Sequence, residues 1–147
     1  MYYLNLSAAQ VAAAHNLTLG DIIIRDKGGI LSKHYAVFVC YDDYGQPIVA
    51  ENQAGFGTRY IYFSQFLSEG NFVRTIYFKG NPHDVKRRLN QLVGRRSYDL
   101  LAYNCEHFAN EITTGEASSS QIRNAGMLIG GFILTGVVTL ALKSLSK

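Results

Sequence analysis

Cysteine is scarce in this chain: Cys40 and Cys105 are the only two among 147 residues. The sequence has no CxxC pair and no grouping of cysteine and histidine at metal-ligand spacing, which argues against a structural zinc site. Cys40 ends an apolar run and is expected to be a small core residue, whereas Cys105 lies in a polar context that opens a helix. We therefore predict no disulfide between them, and no metal or other cofactor.

An excess of charge of one sign is also missing. The net charge is only +3 at pH 7, and the basic residues concentrate at 86–88 and 95–96. A nucleic-acid-binding protein would need a longer basic face with interleaved aromatic residues. We expect these clusters to be solvated helix faces, with attraction to anionic lipid head groups as the alternative, and we expect no nucleic-acid partner.

Residues 1–19 lack the basic segment and continuous apolar run of a secretory signal. Residues 125–142, by contrast, are eighteen residues without a charge. As a helix they would extend about 27 Å at about 1.5 Å per residue, close to the bilayer core of about 30 Å. The apolar segment follows a polar stretch and is flanked by Arg123 and Lys143. We predict a catalytic domain at 1–113, a polar linker at 114–124 and a transmembrane anchor at 125–142.

Apolar periodicity and turn residues indicate an α+β fold. The expected elements are helices at 6–15, 82–93 and 105–112, a helical turn at 64–68, and strands at 21–25, 34–41, 47–52, 58–63 and 72–78. The strands at 34–41 and 47–52 flank a turn and should form a hairpin. The expected architecture is an antiparallel sheet packed against the helix that begins at Cys105, plus a C-terminal hydrophobic helix.

Cys105 is the candidate nucleophile because it opens a predicted helix. Unpaired N–H groups and the dipole at a helix N-terminus favour a thiolate, which lowers the thiol pKa. Asn104 is the expected helix cap. The backbone at Asn104 and Cys105 is the expected donor to a developing oxyanion.

A catalytic thiol needs a base within hydrogen-bond reach. His107 follows Cys105 by two residues, about 200° around a helix, so it should pack or cap behind the site. His15 and His83 lie at helix ends and are expected at the surface. His34 opens the most apolar strand and is the remaining candidate for the general base.

The third catalytic position has two candidates, Glu51 and Asn52, on the strand that follows the His34 strand. Successive residues of a strand point to opposite faces of the sheet, so at most one can serve. Glu51 would orient the imidazole and stabilise its charged form, whereas Asn52 would only orient it. The sequence leaves this choice open.

Three blocks of sequence resemble a known family: LGDII at 19–23, HYAVFV at 34–39 and NCEHFA at 104–109. In order and spacing they are similar to the lecithin:retinol acyltransferase-like (NC domain) proteins. This family is a circularly permuted branch of the papain-like thiol fold that includes the H-Ras-suppressor phospholipase/acyltransferases. The resemblance implies that His34 is the base and that Cys105 attacks an ester carbonyl to form an acyl-thioester. The best-studied animal members carry a second histidine where this chain has Glu51, with Asn52 beside it.

The resemblance therefore predicts a thiol-dependent acyltransferase or phospholipase A-type hydrolase of lipid acyl esters. Its expected substrate is a phospholipid or another acyl ester. We expect membrane association through a single-pass C-terminal anchor, with the catalytic domain on the cytoplasmic side. Two alternatives stay open: a papain-like cysteine peptidase or amidase, and a non-catalytic membrane-anchored adaptor.

Overall fold

The computed structural model describes residues 7–28 and 33–124. These residues form five strands and four named helices, and residues 120–124 are also helical. In chain order the elements are α1 (Ala8–Ala14), β1 (Ile22–Asp26), β2 (Lys33–Tyr41), β3 (Pro47–Gln53), β4 (Gly57–Tyr62), α2 (Phe63–Ser68), β5 (Asn71–Ile76), α3 (Pro82–Leu92) and α4 (Cys105–Thr114). Each agrees with a predicted element to within two residues at each end, so the predicted α+β class is confirmed.

The five strands form one antiparallel sheet in the order β4-β3-β2-β1-β5. The predicted hairpin between β2 and β3 is confirmed, with Ala36 opposite Glu51 and Val37 opposite Ala50. β2 is the central strand, and its β-branched and aromatic residues suit burial on both faces. The start of β2 pairs with β1 through Lys33, His34 and Tyr35, and its pairing with β3 begins at Ala36.

Each face of the sheet carries its own apolar core, because alternate residues of a strand point to opposite faces. One core, under α3 and α4, contains Ile22, Ile24, Tyr35, Val37, Ala50, Val85, Leu89, Tyr103, Cys105, Phe108, Ala109 and Ile112. The other, under α1 and α2, contains Val11, Ala12, Leu17, Ile23, Ala36, Phe38, Val49, Phe63 and Phe66.

Local capping signals explain where the helices begin. Ser7 accepts a hydrogen bond from the N–H of Gln10, whose side chain accepts one in return, which is a complete capping box at α1. Asn81 caps α3, and Pro82 occupies its first position, where no N–H partner is needed. At the end of α4, Gly115 has a left-handed φ of 88°, which glycine adopts without steric cost.

The segment after α3 is attached to the start of β4. Thr58 donates its N–H to the carbonyl of Arg96 and accepts from the N–H of Gly94. Gly57 makes this approach possible, because a Cβ there would lie 2.6 Å from the Arg96 carbonyl oxygen. The attachment directs the following residues, 97–104, toward the N-terminus of α4.

Three sequence predictions concern the two cysteines and the C-terminal segment. Cys40 was expected in the core, but it is exposed at the end of β2, where the register with β3 shifts. Both cysteines are free thiols, as predicted. The predicted anchor at 125–142 lies outside the described residues; within 7–28 and 33–124 no helix has the length and hydropathy to cross a bilayer.

Candidate active site

Cys105 is the first residue of α4 and lies buried against β2. The Asn104 side chain accepts hydrogen bonds from the N–H groups of Glu106 and His107, and His107 Nδ1 accepts from the N–H of Asn104. The predicted helix cap at Asn104 is therefore confirmed. The prediction that His107 caps behind the site is confirmed as well.

The environment of the Cys105 thiol differs from the expectation. Burial raises the pKa of Cys105 to about 11, although backbone hydrogen bonds from Tyr35 and Glu106 and the charge of Lys27 act in the opposite direction. The predicted lowering of the thiol pKa is wrong, because a buried thiolate loses more hydration than the helix N-terminus restores. At neutral pH the group is a thiol.

His34 and Glu51 form a buried pair. His34 Nε2 lies 2.8 Å from Glu51 Oε2, and Arg59 donates from Nε (3.0 Å) and a terminal nitrogen (2.8 Å) to the other carboxylate oxygen. Burial alone would raise the pKa of Glu51, but the hydrogen bonds and positive charge of His34 and Arg59 hold it below its usual value of 4.5. Glu51 is thus a carboxylate at neutral pH.

This pairing fixes the protonation of the His34 ring. Burial lowers the pKa of His34 below 6.5, outweighing the hydrogen bond that the ring donates to Glu51, so the ring is neutral at pH 7. A carboxylate only accepts hydrogen bonds, so the ring proton must reside on Nε2. Nδ1 therefore carries the free lone pair, as a general base requires.

Phe66 packs against the His34 ring on the α1–α2 side of the sheet, and Arg25 in turn lies over Phe66. The ring stacks on Phe66 with centroids 5.6 Å apart, and the Arg25 guanidinium lies 4.8 Å from the same Phe66 ring. Arg25 is fully buried and forms an ion pair with Glu69 at 2.6 Å. The imidazole is therefore held from two directions, by Glu51 and by Phe66.

Cys105 and His34 approach β2 differently. Cys105 packs in the α3–α4 core beside Tyr35, and its Sγ donates to the carbonyl of Lys33 at 3.8 Å. The thiol thus reaches the β2 backbone on both sides of His34, whose ring lies toward the opposite face. Within the described chain there is no hydrogen bond between Cys105 and the His34 ring, so the expected direct contact is absent from this structure.

Asn52 has a different role from Glu51. Its side chain lies on the same sheet face as Cys105 and donates to the carbonyl of Tyr103 at 2.8 Å. The predicted divergence of the two neighbours is confirmed: Glu51 contacts the histidine, and Asn52 holds the backbone that leads into α4.

Glu106 fastens the polar segment after α4 to the site. Its carboxylate accepts hydrogen bonds from the Ser119 hydroxyl (2.6 Å), the Ser120 hydroxyl (2.6 Å) and the N–H of Gln121 (3.0 Å). Ser119 in turn caps the helix at 120–124 by accepting from the N–H of Ile122. Residues 119–121 of the predicted linker therefore pack against the start of α4.

The space around Cys105 is small. A cavity of about 30 Å³ is lined by Lys33, Tyr98, Leu100, Asn104, Cys105 and Gln121. Tyr98 also lines a larger polar cleft of about 550 Å³, which runs between residues 55–58 and 94–98. The cavity holds about one water molecule, so a substrate can reach Sγ only if its lining moves. No group of metal-ligating side chains occurs in residues 7–28 and 33–124.

Sequence reasoning missed Arg59 and the Glu106 contacts. An arginine in the β-rich stretch at 58–63 is a weak signal, because its partner depends on the register of β3 and β4. Ser119 and Ser120 lie in a polar run whose composition is typical of a linker. Neither set is detectable without the tertiary structure.

The comparisons with known proteins agree with the motifs. Residues 49–118 match the family model described as Lecithin retinol acyltransferase. Phospholipase A and acyltransferase 3 of Homo sapiens and that of Pongo abelii are each 36% identical over 80 residues, covering 42% of this chain. The chain spans about half the length of these relatives (49%).

The matched family segment contains Glu51, Asn52 and Cys105, and His34 precedes it. The family resemblance predicted from the motifs is therefore confirmed: residues 49–118 are similar to the lecithin retinol acyltransferase family.

Proposed function

We propose that this protein is a thiol-dependent acyltransferase or phospholipase A-type hydrolase that acts on lipid acyl esters through an acyl-thioester on Cys105. The observation that carries the proposal is the buried His34–Glu51 hydrogen bond of 2.8 Å, on the strand against which Cys105 packs. The names of the relatives, phospholipase A and acyltransferase, support the choice of a lipid ester as substrate.

His34 serves as the general base through Nδ1. Glu51 holds the proton on Nε2, orients the ring and stabilises the imidazolium that forms. This makes Glu51 rather than Asn52 the third member of the site. In this structure the His34 ring and the Cys105 thiol lie toward opposite faces of β2, so the proposed role requires the His34 side chain to turn toward Sγ when substrate binds.

The reaction begins from neutral groups. Because the pKa of Cys105 is raised and that of His34 is lowered, the proton leaves Sγ for Nδ1 as Sγ attacks the ester carbonyl. The C–O bond to glycerol then breaks, and His34 returns the proton to the departing alkoxide. Water, an amine or an alcohol next attacks the thioester and loses its proton to His34. The C–S bond breaks, the acyl group leaves on the acceptor, and His34 returns the proton to Sγ.

The oxyanion of each tetrahedral intermediate needs a donor. The Asn104 side chain already occupies the N–H groups of Glu106 and His107, which leaves the N–H of Cys105 outside this cap. This backbone N–H is the proposed oxyanion donor, and a donor of this kind typically contributes about 3 kcal/mol to the transition state.

The circular permutation of the papain-like fold and the anchor at 125–142 belong to the same proposal. Eighteen uncharged residues starting four positions after Gln121, a residue that lines the Cys105 cavity, would keep the thiol beside its lipid substrate. The catalytic domain is proposed to face the cytoplasm.

Turnover of phospholipid and of a soluble acyl ester tests the proposal. Cys105→Ala should abolish both activities, while Cys40→Ala, which removes the exposed thiol, should retain them. If the wild type turns over neither substrate but cleaves a γ-glutamyl peptide, the enzyme is an amidase. If it cleaves none of the three, it is an adaptor.

A further inference from the structure

Two exposed leucines stand next to each other in a rigid turn close to the candidate nucleophile. Leu100 is 48% exposed and Leu101 is 69% exposed. The Asp99 carboxylate accepts from the N–H groups of Leu101 (2.9 Å) and Ala102 (2.8 Å), and the backbones of Asp99 and Tyr103 bond to each other in both directions. The turn therefore presents apolar side chains to solvent in a fixed shape, which marks an interaction surface.

This turn is attached directly to the candidate active site. Asn104 Nδ2 donates to the carbonyl of Leu100 at 3.1 Å, and Leu100 lines the cavity at Cys105. Whatever binds the two leucines thus lies at the entrance to the thiol.

The surroundings of the turn are basic. Lys33 lines the same cavity, and Arg95 and Arg96 precede the turn. Arg96 pairs with Glu111 at 3.6 Å, whereas Lys33 and Arg95 make no ion pair within the described chain. Backbone N–H groups of the turn lower the pKa of Asp99, so its carboxylate stays charged. Lys33 and Arg95 together exceed this charge by one. Apolar residues flanked by cations are complementary to a bilayer containing anionic lipid.

The last described residues of the chain also reach the cavity at Cys105. Gln121 lines the Cys105 cavity, and the uncharged sequence 125–142 begins four residues later. The apolar turn, Lys33 and Gln121, which precedes the uncharged sequence by four positions, therefore lie around one cavity.

We propose that Leu100 and Leu101 insert into the surface of an anionic bilayer and so dock the Cys105 cavity against its substrate. This inference rests on the proposed lipid-directed function and names the surface through which that function is exercised. Lys33 and Arg95 would lie among the head groups, and the two leucine side chains among the acyl chains.

The absence of tryptophan from the chain allows a direct test. Full-length Leu101→Trp carries a single tryptophan at the proposed tip. The matched control is Tyr44→Trp, because Tyr44 is 89% exposed in the turn after β2. Tyr41, the last residue of β2 before this turn, is eight residues from Lys33 along the strand. The two ends of β2 are therefore about 26 Å apart at roughly 3.3 Å per residue. Both variants are mixed with vesicles of phosphatidylcholine and phosphatidylglycerol, with and without brominated acyl chains.

The Leu101→Trp emission should shift to the blue on vesicle binding and be quenched by the brominated lipid, and the Tyr44→Trp emission should do neither. Equal quenching at both positions, or none at 101, would overturn the proposal. Because the fluorescence does not depend on turnover, failure of the docking surface is separable from failure of the proposed function.

A second variant links docking to turnover. Leu101→Asp, which leaves the cavity-lining Leu100 in place, should lower turnover of vesicle phospholipid by roughly tenfold or more, because a charged side chain is costly in the acyl region. Turnover of a short, water-soluble ester should change little. An equal loss with both substrates, at an unchanged melting temperature, would contradict a docking role.

Discussion

At the scale of single residues, the candidate site depends on how burial sets protonation. Cys105 and His34 are both buried, and burial disfavours the charged form of each group. The two are therefore a neutral thiol and a neutral imidazole, and Glu51 with Arg59 supplies the ionised partner. This arrangement favours proton transfer during attack over a resting thiolate–imidazolium pair.

The pH dependence of turnover follows from these directions. His34 must be deprotonated to act, and its lowered pKa places the midpoint of the acidic limb below 6.5. Because the pKa of Cys105 is about 11, turnover should be flat from about pH 7 to about pH 9. The kcat/KM of a soluble ester, measured across this range, gives the profile. An acidic midpoint above pH 6.5, or the absence of an acidic limb, would rule out a His34 of lowered pKa as the general base.

Glu51→Gln tests the third position. The amide removes the charge that stabilises the imidazolium and can present a donor to Nε2, so the wrong tautomer becomes available. We expect turnover to fall roughly 100-fold or more. The acidic limb should also move to lower pH, since the Glu51 carboxylate raises the His34 pKa.

Glu69→Gln is the matched control, because Glu69 pairs with Arg25 instead of contacting His34. Asn52→Ala should act on stability through the Tyr103 carbonyl rather than on the pH profile. A Glu51→Gln variant as active as the Glu69→Gln variant would contradict the role of Glu51 as the third member of the site.

At the scale of secondary-structure elements, the helix caps and strands were predictable because their signals are local. Asn104 before Cys105 and Pro82 after Asn81 are readable in a few adjacent letters. The opposite orientations of Glu51 and Asn52 follow from strand alternation alone. The choice between them required the stacking of His34 on Phe66, which joins β2 to α2 and has no local signature.

The contacts of Glu106 were not predictable, and they yield a stability prediction. Hydrogen bonds from Ser119, Ser120 and Gln121 hold the pKa of Glu106 below 4.5 against the opposing effect of burial. The carboxylate therefore contributes stability above the unfolded pKa, and this contribution is lost as pH falls through the folded pKa. Glu106→Gln should cost about 1–3 kcal/mol at pH 7.

Thermal unfolding at several pH values checks this sign. The difference in melting temperature between wild type and Glu106→Gln should be full at neutral pH and shrink below pH 4.5. Glu116→Gln, at an exposed position nearby, should show little difference at any pH. A Glu106→Gln penalty that grew on acidification would contradict the assignment.

At the scale of the whole molecule, the sheet and its two apolar cores bring together motifs that lie far apart in the sequence. HYAVFV contributes the central strand, and NCEHFA begins the helix packed on it. The order of these blocks sufficed to predict the family. It did not predict the depth of burial of Cys105, because the cover over the thiol comes from residues 98–100 and 121, which carry no motif.

The C-terminal segment gives a prediction for the intact chain. If residues 125–142 anchor the protein, alkaline carbonate should leave the full-length chain in the membrane pellet. Placing arginine at both Ile133 and Val137 should release it, because each charge near the bilayer centre costs about 3 kcal/mol. A wild-type chain that carbonate extracts completely would contradict the anchor.

The central claim is that Cys105 carries the acyl group. Intact-protein and peptide mass spectrometry after brief incubation with a phospholipid of defined acyl chain tests it most directly. We expect a mass increase of one acyl group on the peptide with Cys105, removable by hydroxylamine, and none on the peptide with Cys40. The adduct should be absent from Cys105→Ala and should diminish in His34→Ala. Phospholipid turnover that persists in Cys105→Ala, or acylation confined to Cys40, would contradict the account.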